Sequence, residues 1–195
     1  MIDRKKLDRI KNKFGEYASW ALWNNEDESD INIIEHNLSL LNVNWILIGL
    51  NISKPVSVWG NFRGGKHDRK LKIAFNNSFV RGSYMTDLIK KVEKSSTAIE
   101  KELRCGELDI SKHVKSFTEE LNTIGVNAKT KFIVFGNVAR NIYDEYYERN
   151  FPENKVYYFK HYSSRNMTDK KWVEKVWKRL NVKLNFEDEK AKYTK

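Results

Sequence analysis

His161-Tyr162-Ser163-Ser164-Arg165-Asn166 follows a short apolar run, Val156-Tyr157-Tyr158-Phe159. A second stretch has the same grammar, Gly49-Leu50-Asn51-Ile52-Ser53 after Trp45-Ile46-Leu47-Ile48. Each run reads as a buried strand that ends in polar residues. In an open parallel sheet, groups just past the carboxyl ends of the strands face one crevice, and such folds bind their ligands there. The amide of Asn51 and the imidazole of His161 are therefore expected to meet across one small molecule.

Working outward, two more strands are expected. Residues 82–85 form one, ending in Thr86-Asp87, which are good N-cap residues for a helix from Leu88 to Val92. Residues 132–135 form the other, followed by Gly136-Asn137 and a helix through Tyr147. Helical spacing of apolar residues predicts helices over 3–23, 31–41, 67–75 and 111–125, and a last one from Thr168 with Trp172, Val173, Val176, Trp177 and Leu180 inward. Strands alternating with helices indicate an α/β fold with a mainly parallel, four-stranded sheet. The strands end in Asn51, Asp87, Asn137 and His161; helix capping accounts for two of these and does not account for His161. Between the first two strands, Trp59-Gly60-Asn61-Phe62 and Arg63-Gly64-Gly65-Lys66 form an aromatic–glycine loop able to wall a pocket and approach phosphate. It lacks the Gly-Lys-Ser/Thr ending of a phosphate-binding loop.

Composition bounds the function. The chain has 195 residues, 40% hydrophobic and 13% aromatic, enough to bury a core, and a single domain over 1–185 with a fraying polar tail over 186–195 is expected. No apolar run approaches the roughly 18 residues of a membrane span, and Met1-Ile2-Asp3-Arg4-Lys5-Lys6 has no signal-peptide core behind it. A cytoplasmic monomer is the expectation. The lone Cys105 excludes an internal disulfide and any four-cysteine metal site within one chain. No spacing of ligands predicts a metal. The formal charge of +10 favours a polyanionic partner.

At this point the chain resembles the uracil-DNA glycosylase superfamily. Its single-strand-selective monofunctional branch carries Gly-Met-Asn-Pro-Gly and His-Pro-Ser-Pro-Arg-Asn motifs. Gly49-Leu50-Asn51 and His161-Tyr162-Ser163-Ser164-Arg165-Asn166 are similar to both, in order and at strand ends. Trp172 falls where that branch has a tryptophan. Gly82-Ser83-Tyr84-Met85-Thr86-Asp87-Leu88-Ile89-Lys90 is similar to the Tyr-Ile-Thr-Asn-Val-Val-Lys strand of the thermostable branches, and Phe135-Gly136-Asn137-Val138-Ala139 to a Trp-Gly-x-x-Ala segment. Three departures stand out. Tyr162 and Ser164 replace the prolines of the histidine loop, Ile52 replaces the proline after Asn51, and Asp87 stands where the family commonly has a base-reading asparagine.

The resemblance implies a three-layer α/β/α sandwich around the four-stranded sheet. It also implies hydrolysis of the N-glycosidic bond of uracil or another modified pyrimidine in double- or single-stranded DNA, by base flipping and without a cofactor. Asn51 and His161 would be catalytic: Asn51 positions a water beneath the sugar, and His161 donates to a base carbonyl as charge develops there. Gly49, Leu50, Phe62, Phe75, Asp87 and Asn137 would surround the base, with Phe62 or Phe75 stacking on it. Arg63, Lys66, Ser163, Ser164, Arg165 and Asn166 would contact DNA, with Arg165 and Asn166 entering the duplex. Two other readings stay open. One is a nucleic-acid-binding protein with the same fold and no catalysis, which the missing prolines favour; the other is an enzyme acting on free nucleosides or nucleotides. Asp87 likewise has three readings: an ionised carboxylate that accepts from a cytosine-type amino group, a protonated one compatible with uracil, or a plain helix cap.

Overall fold

The computed structural model describes residues 2–27, 29–93 and 95–193. The fold is α/β. Its sheet has five strands in the order β1-β3-β2-β4-β5, formed by Ser19–Trp20 (β1), Asn42–Ile52 (β2), Ser83–Val92 (β3), Lys131–Phe135 (β4) and Val156–Phe159 (β5). β2 runs parallel to both β3 and β4, and β4 runs parallel to β5, whereas β1 pairs antiparallel with β3. The four parallel strands are those expected; β1 is the addition, so the sheet is mixed.

The helices are α1 (Arg4–Phe14), α2 (Asn32–His36), α3 (Arg69–Phe75), α4 (Ser96–Arg104), α5 (Ile110–Ile124), α6 (Asn137–Ile142), α7 (Asp169–Leu180) and α8 (Phe186–Ala191). Strand alternation sorts the core into two clusters. Ile46, Ile48 and Leu50 of β2 join Phe132 and Val134 of β4 and the apolar faces of α1, α5 and α6. Trp45 and Leu47 join Ile133 and Phe135 and the apolar faces of α3, α7 and α8. Both faces of the sheet are therefore buried, as continuous apolar strands demand.

Three expectations are corrected here. The first helix stops at Phe14, not at 23. Beyond it Ala18, Trp20 and Leu22 enter one cluster while Ala21 and Trp23 enter the other, a period of two that suits an edge strand. Second, no helix begins at Leu88. β3 continues to Val92, because the 11-residue β2 offers a ladder partner as far as Ile52↔Val92. Asp87 therefore sits inside a strand opposite Gly49 and caps nothing. Third, the tail does not fray from Phe186. Asn185 caps α8 by accepting from the backbone of Glu187 and Asp188, and Phe186 and Glu189 are buried. The last two residues of the chain lie outside the described part.

Candidate functional site

Along the parallel strands the chain order reverses at β2 and β4, and a cavity of about 510 Å³ opens at the carboxyl ends there. Gly49, Leu50 and Asn51 contribute from β2, Asp87 from β3, Phe135-Gly136-Asn137 from the end of β4, and His161-Tyr162-Ser163 from the end of β5. The 60–68 loop forms the remaining wall with Asn61, Phe62, Lys66 and His67. The loops after β2 and β5 thus share one pocket, within the roughly 300–1,000 Å³ range typical of small-ligand sites.

His161 is partly buried, and its surroundings define its proton. Nδ1 accepts from the Ser163 backbone N–H at 3.2 Å and lies 2.7 Å from Ser163 Oγ. A nitrogen that accepts carries no hydrogen, so the neutral ring holds its proton on Nε2. Burial, with His67 and Lys70 nearby, pushes the imidazole pKa down to about 4. At neutral pH His161 is an uncharged Nε2–H donor. Its ring stacks on Tyr162 with centroids 4.3 Å apart, and Tyr162 in turn packs edge-on against Phe135 and Trp172. Trp172 Nε1 donates to Lys160 O at 2.8 Å and Ser164 N to His161 O at 3.0 Å. These contacts hold the loop in place.

Asp87 is 2% exposed, and its Oδ2 accepts from Asn61 Nδ2 at 2.7 Å. Burial pushes its carboxyl up to about 6, opposed by the Asn61 hydrogen bond and Lys90. Asn61 is held in turn by Tyr17, whose carbonyl accepts from the same amide at 2.7 Å. Asn61 is flanked by two non-glycine residues in the left-handed region, Trp59 and Phe62, both at φ 61°. Such strain costs on the order of 1–3 kcal/mol and is found where surrounding structure imposes it. Here it brings the Phe62 ring against the backbone of Gly49: a Cβ at Gly49 would stand 3.2 Å from Phe62 Cε1.

Asn51 is partly buried, and its Nδ2 donates to Ile52 O at 3.2 Å and to Glu93 O at 2.5 Å. Both amide hydrogens go to carbonyls, which assigns the flip and leaves Oδ1 as the acceptor of a residue that lines the cavity. An oxygen that accepts from water is what positions a nucleophile.

The other candidates divide. Phe62 walls the cavity, whereas Phe75 is fully buried against Phe135 and Trp172 and belongs to the core; its assignment to the ligand is corrected. Leu50 reaches the cavity, but its side chain is buried in the core cluster. Asn137 is exposed at the rim. Arg63 is no surface contact, which corrects its assignment to DNA. It is 6% exposed, donates to Ser19 Oγ, Trp20 O and Leu22 O, and ties β1 to the loop; burial lowers its pKa to about 10. Lys66 is exposed at the cavity mouth, and Arg165 and Asn166 are exposed on the histidine loop. Ser163 and Ser164 are partly buried and engage His161, with Ser163 in the cavity wall.

Sequence reasoning missed Asn61 and Tyr162. In the sequence Asn61 is simply part of an aromatic–glycine loop, and Tyr162 simply stands where the resembling motif has a proline. No local signal marks either, since each acquires its role from a partner distant in sequence. Among the described residues no cluster of histidine, cysteine, aspartate or glutamate is arranged to hold a metal, and no helix is long and apolar enough to cross a membrane. Compared with models of known protein families, with curated proteins and with solved structures, the chain finds no match.

Proposed function

We propose that this protein is a monofunctional DNA glycosylase, built as a three-layer α/β/α sandwich, that hydrolyses the N-glycosidic bond of uracil or another modified pyrimidine flipped out of DNA. One observation carries the reading. Asn51 with both amide hydrogens engaged and Oδ1 left to accept, His161 as a neutral Nε2–H donor and Phe62 as an aromatic wall line the same cavity at the switch point of the sheet. The lining includes Lys54 and Lys66 alongside the acidic Asp68 and Glu93, and the net charge of +10 over the chain suits a phosphate backbone.

The chemistry follows from those groups. As the bond from C1′ to the base nitrogen breaks, its electron pair goes to the base and positive charge develops on the sugar. His161 Nε2–H donates to a base carbonyl and strengthens as that oxygen gains charge. Asn51 Oδ1 orients a water whose oxygen bonds to C1′; one water proton ends on the released base. The stacking and hydrogen bonds around His161 supply the preorganisation that prolines would otherwise give, which supports catalysis over DNA binding alone. The Phe62 ring offers the flipped base an apolar face.

The experiment is an abasic-site assay on oligonucleotides that each carry one modified pyrimidine. The wild-type protein is expected to leave an alkali-labile abasic site in at least one of them. DNA binding with no base released from any would replace this reading by that of a non-catalytic binding protein.

A further inference from the structure

Asp87 lines the cavity, yet the protein serves only one of its two carboxylate oxygens. Oδ2 accepts from Asn61; among the described residues no donor reaches Oδ1. Oδ1 lies over the backbone of Gly49, where a Cβ would stand 2.1 Å away, so the oxygen occupies the space that a side chain would fill. Two nearby donors, Asn61 and Lys90, are already engaged, and the Tyr162 hydroxyl, although it feels the Asp87 charge, makes no hydrogen bond to it. The Asn61 amide is shared between Tyr17 O and Asp87 Oδ2. Lys90, on the same strand, pairs with the buried Glu120 of α5 at 2.6 Å and also donates to Thr86. Oδ1 is not among the fully enclosed side-chain atoms without a partner, so it stays open to whatever fills the cavity, and a charged acceptor gains most from a directed N–H. A ligand that brings an N–H to Oδ1 makes a charge-assisted hydrogen bond, and a ligand that brings a carbonyl adds repulsion.

We infer that Asp87 selects the base, and that the base is a 4-aminopyrimidine, cytosine or a ring-substituted cytosine, in preference to uracil. This rests on the cavity receiving a flipped pyrimidine. A 4-aminopyrimidine presents its amino hydrogens to Oδ1, while O2, on the far side of the same edge, accepts from His161 Nε2–H. Above about pH 6, where the carboxyl is mainly ionised, uracil turns the acceptor-only O4 toward an acceptor-only carboxylate. Its single N3–H lies between two carbonyls, so using it brings one of them against the carboxylate as well. Sites built around a hydrogen bond discriminate strongly against ligands that cannot complete it. One base-edge pairing is worth about 1–3 kcal/mol, roughly 5- to 150-fold in affinity.

The test separates base selection from catalysis. Oligonucleotides free of other cytosines each carry a single unpaired 2′-fluoro nucleotide, which resists cleavage, bearing cytosine, 5-methylcytosine or uracil. Dissociation constants are measured by fluorescence anisotropy for the wild-type protein and for Asp87→Asn. Wild type is expected to bind the cytosine-type target at least about 10-fold more tightly than uracil, and Asp87→Asn to reverse the order. Equal affinities, or a uracil preference in wild type, overturn the inference about Asp87; release of uracil from cleavable DNA would then leave the glycosylase reading standing. Cytosine-type preference without release from any cleavable oligonucleotide keeps the selection and overturns the catalysis. Equal affinities together with no base released from any cleavable oligonucleotide overturn both. If Asp87→Asn does not fold, the wild-type ratio alone decides.

Discussion

Gly49 and Asp87 face one another across β2 and β3, and a Cβ at position 49 would lie 2.1 Å from Asp87 Oδ1. The backbone of Gly49 is not in the left-handed region, so conformation does not demand glycine there. Space does: the carboxylate sits where a methyl group would go, and Phe62 closes the other side.

Gly49→Ala should therefore destabilise the fold by about 1–3 kcal/mol through overpacking. Adding Asp87→Ala to it should recover part of that loss, because the double variant removes the clash. Thermal denaturation of the four proteins in this cycle gives the coupling. Additive losses would show that the carboxylate moves aside at no cost.

Asp87 and His161 should bias stability in opposite directions over the same pH range. The Asp87 carboxyl is raised from 3.8 to about 6, so its contribution is full below its unfolded pKa and is lost as pH rises through 6. The His161 imidazole is lowered from 6.5 to about 4, so its contribution is present above its unfolded pKa and is lost as pH falls through 4. Asp87 contributes at most about 3 kcal/mol and His161 at most about 3.5 kcal/mol. Relative to wild type, Asp87→Asn should gain stability as pH rises from 4 to 7, and His161→Gln should gain as pH falls from 6.5 to 4. Urea melts at several pH values read both slopes; slopes of the same sign contradict this assignment.

His161→Ala should lower base release by about 10²–10³ while changing DNA affinity little, because a hydrogen bond to a developing charge acts in the transition state. Single-turnover rates alongside equilibrium binding make the comparison. Matching losses in both would make His161 a ground-state contact.

Arg63 and Lys66, three residues apart, should separate completely. Arg63→Ala removes the donors to Ser19, Trp20 and Leu22 and should cost about 1.5–3 kcal/mol or more of stability. Lys66→Ala should leave the melting temperature alone and reduce the salt dependence of DNA binding by about one unit of slope. A changed slope for a folded Arg63 variant would return Arg63 to the DNA surface.

Arg165→Ala should weaken binding to duplex more than to single-stranded DNA, since a wedge matters only where a stack has to open. Titrations of the same sequence in both forms decide it. Equal losses make Arg165 an ordinary phosphate contact.

Local side-chain pattern was enough to place the parallel strands and their polar ends. Trp45-Ile46-Leu47-Ile48, Phe132-Ile133-Val134-Phe135 and Val156-Tyr157-Tyr158-Phe159 are apolar on both sides, and only a sheet covered on both faces buries such runs. From that alone Asn51, Asn137 and His161 came to one crevice. The length of β3 and the existence of β1 were decided by pairing. Thr86-Asp87 is an equally good cap or strand pair locally, and the available ladder of β2 settles which. Arg63 and Lys66 have the same charge in the same loop; one is buried by β1 and the other is not. Asn61 holds Asp87, and Tyr162 supports His161, through partners that only folding brings near. Strand character is a property of a few adjacent side chains, whereas burial, hydrogen-bond partners and pKa are properties of whatever the rest of the chain packs around them.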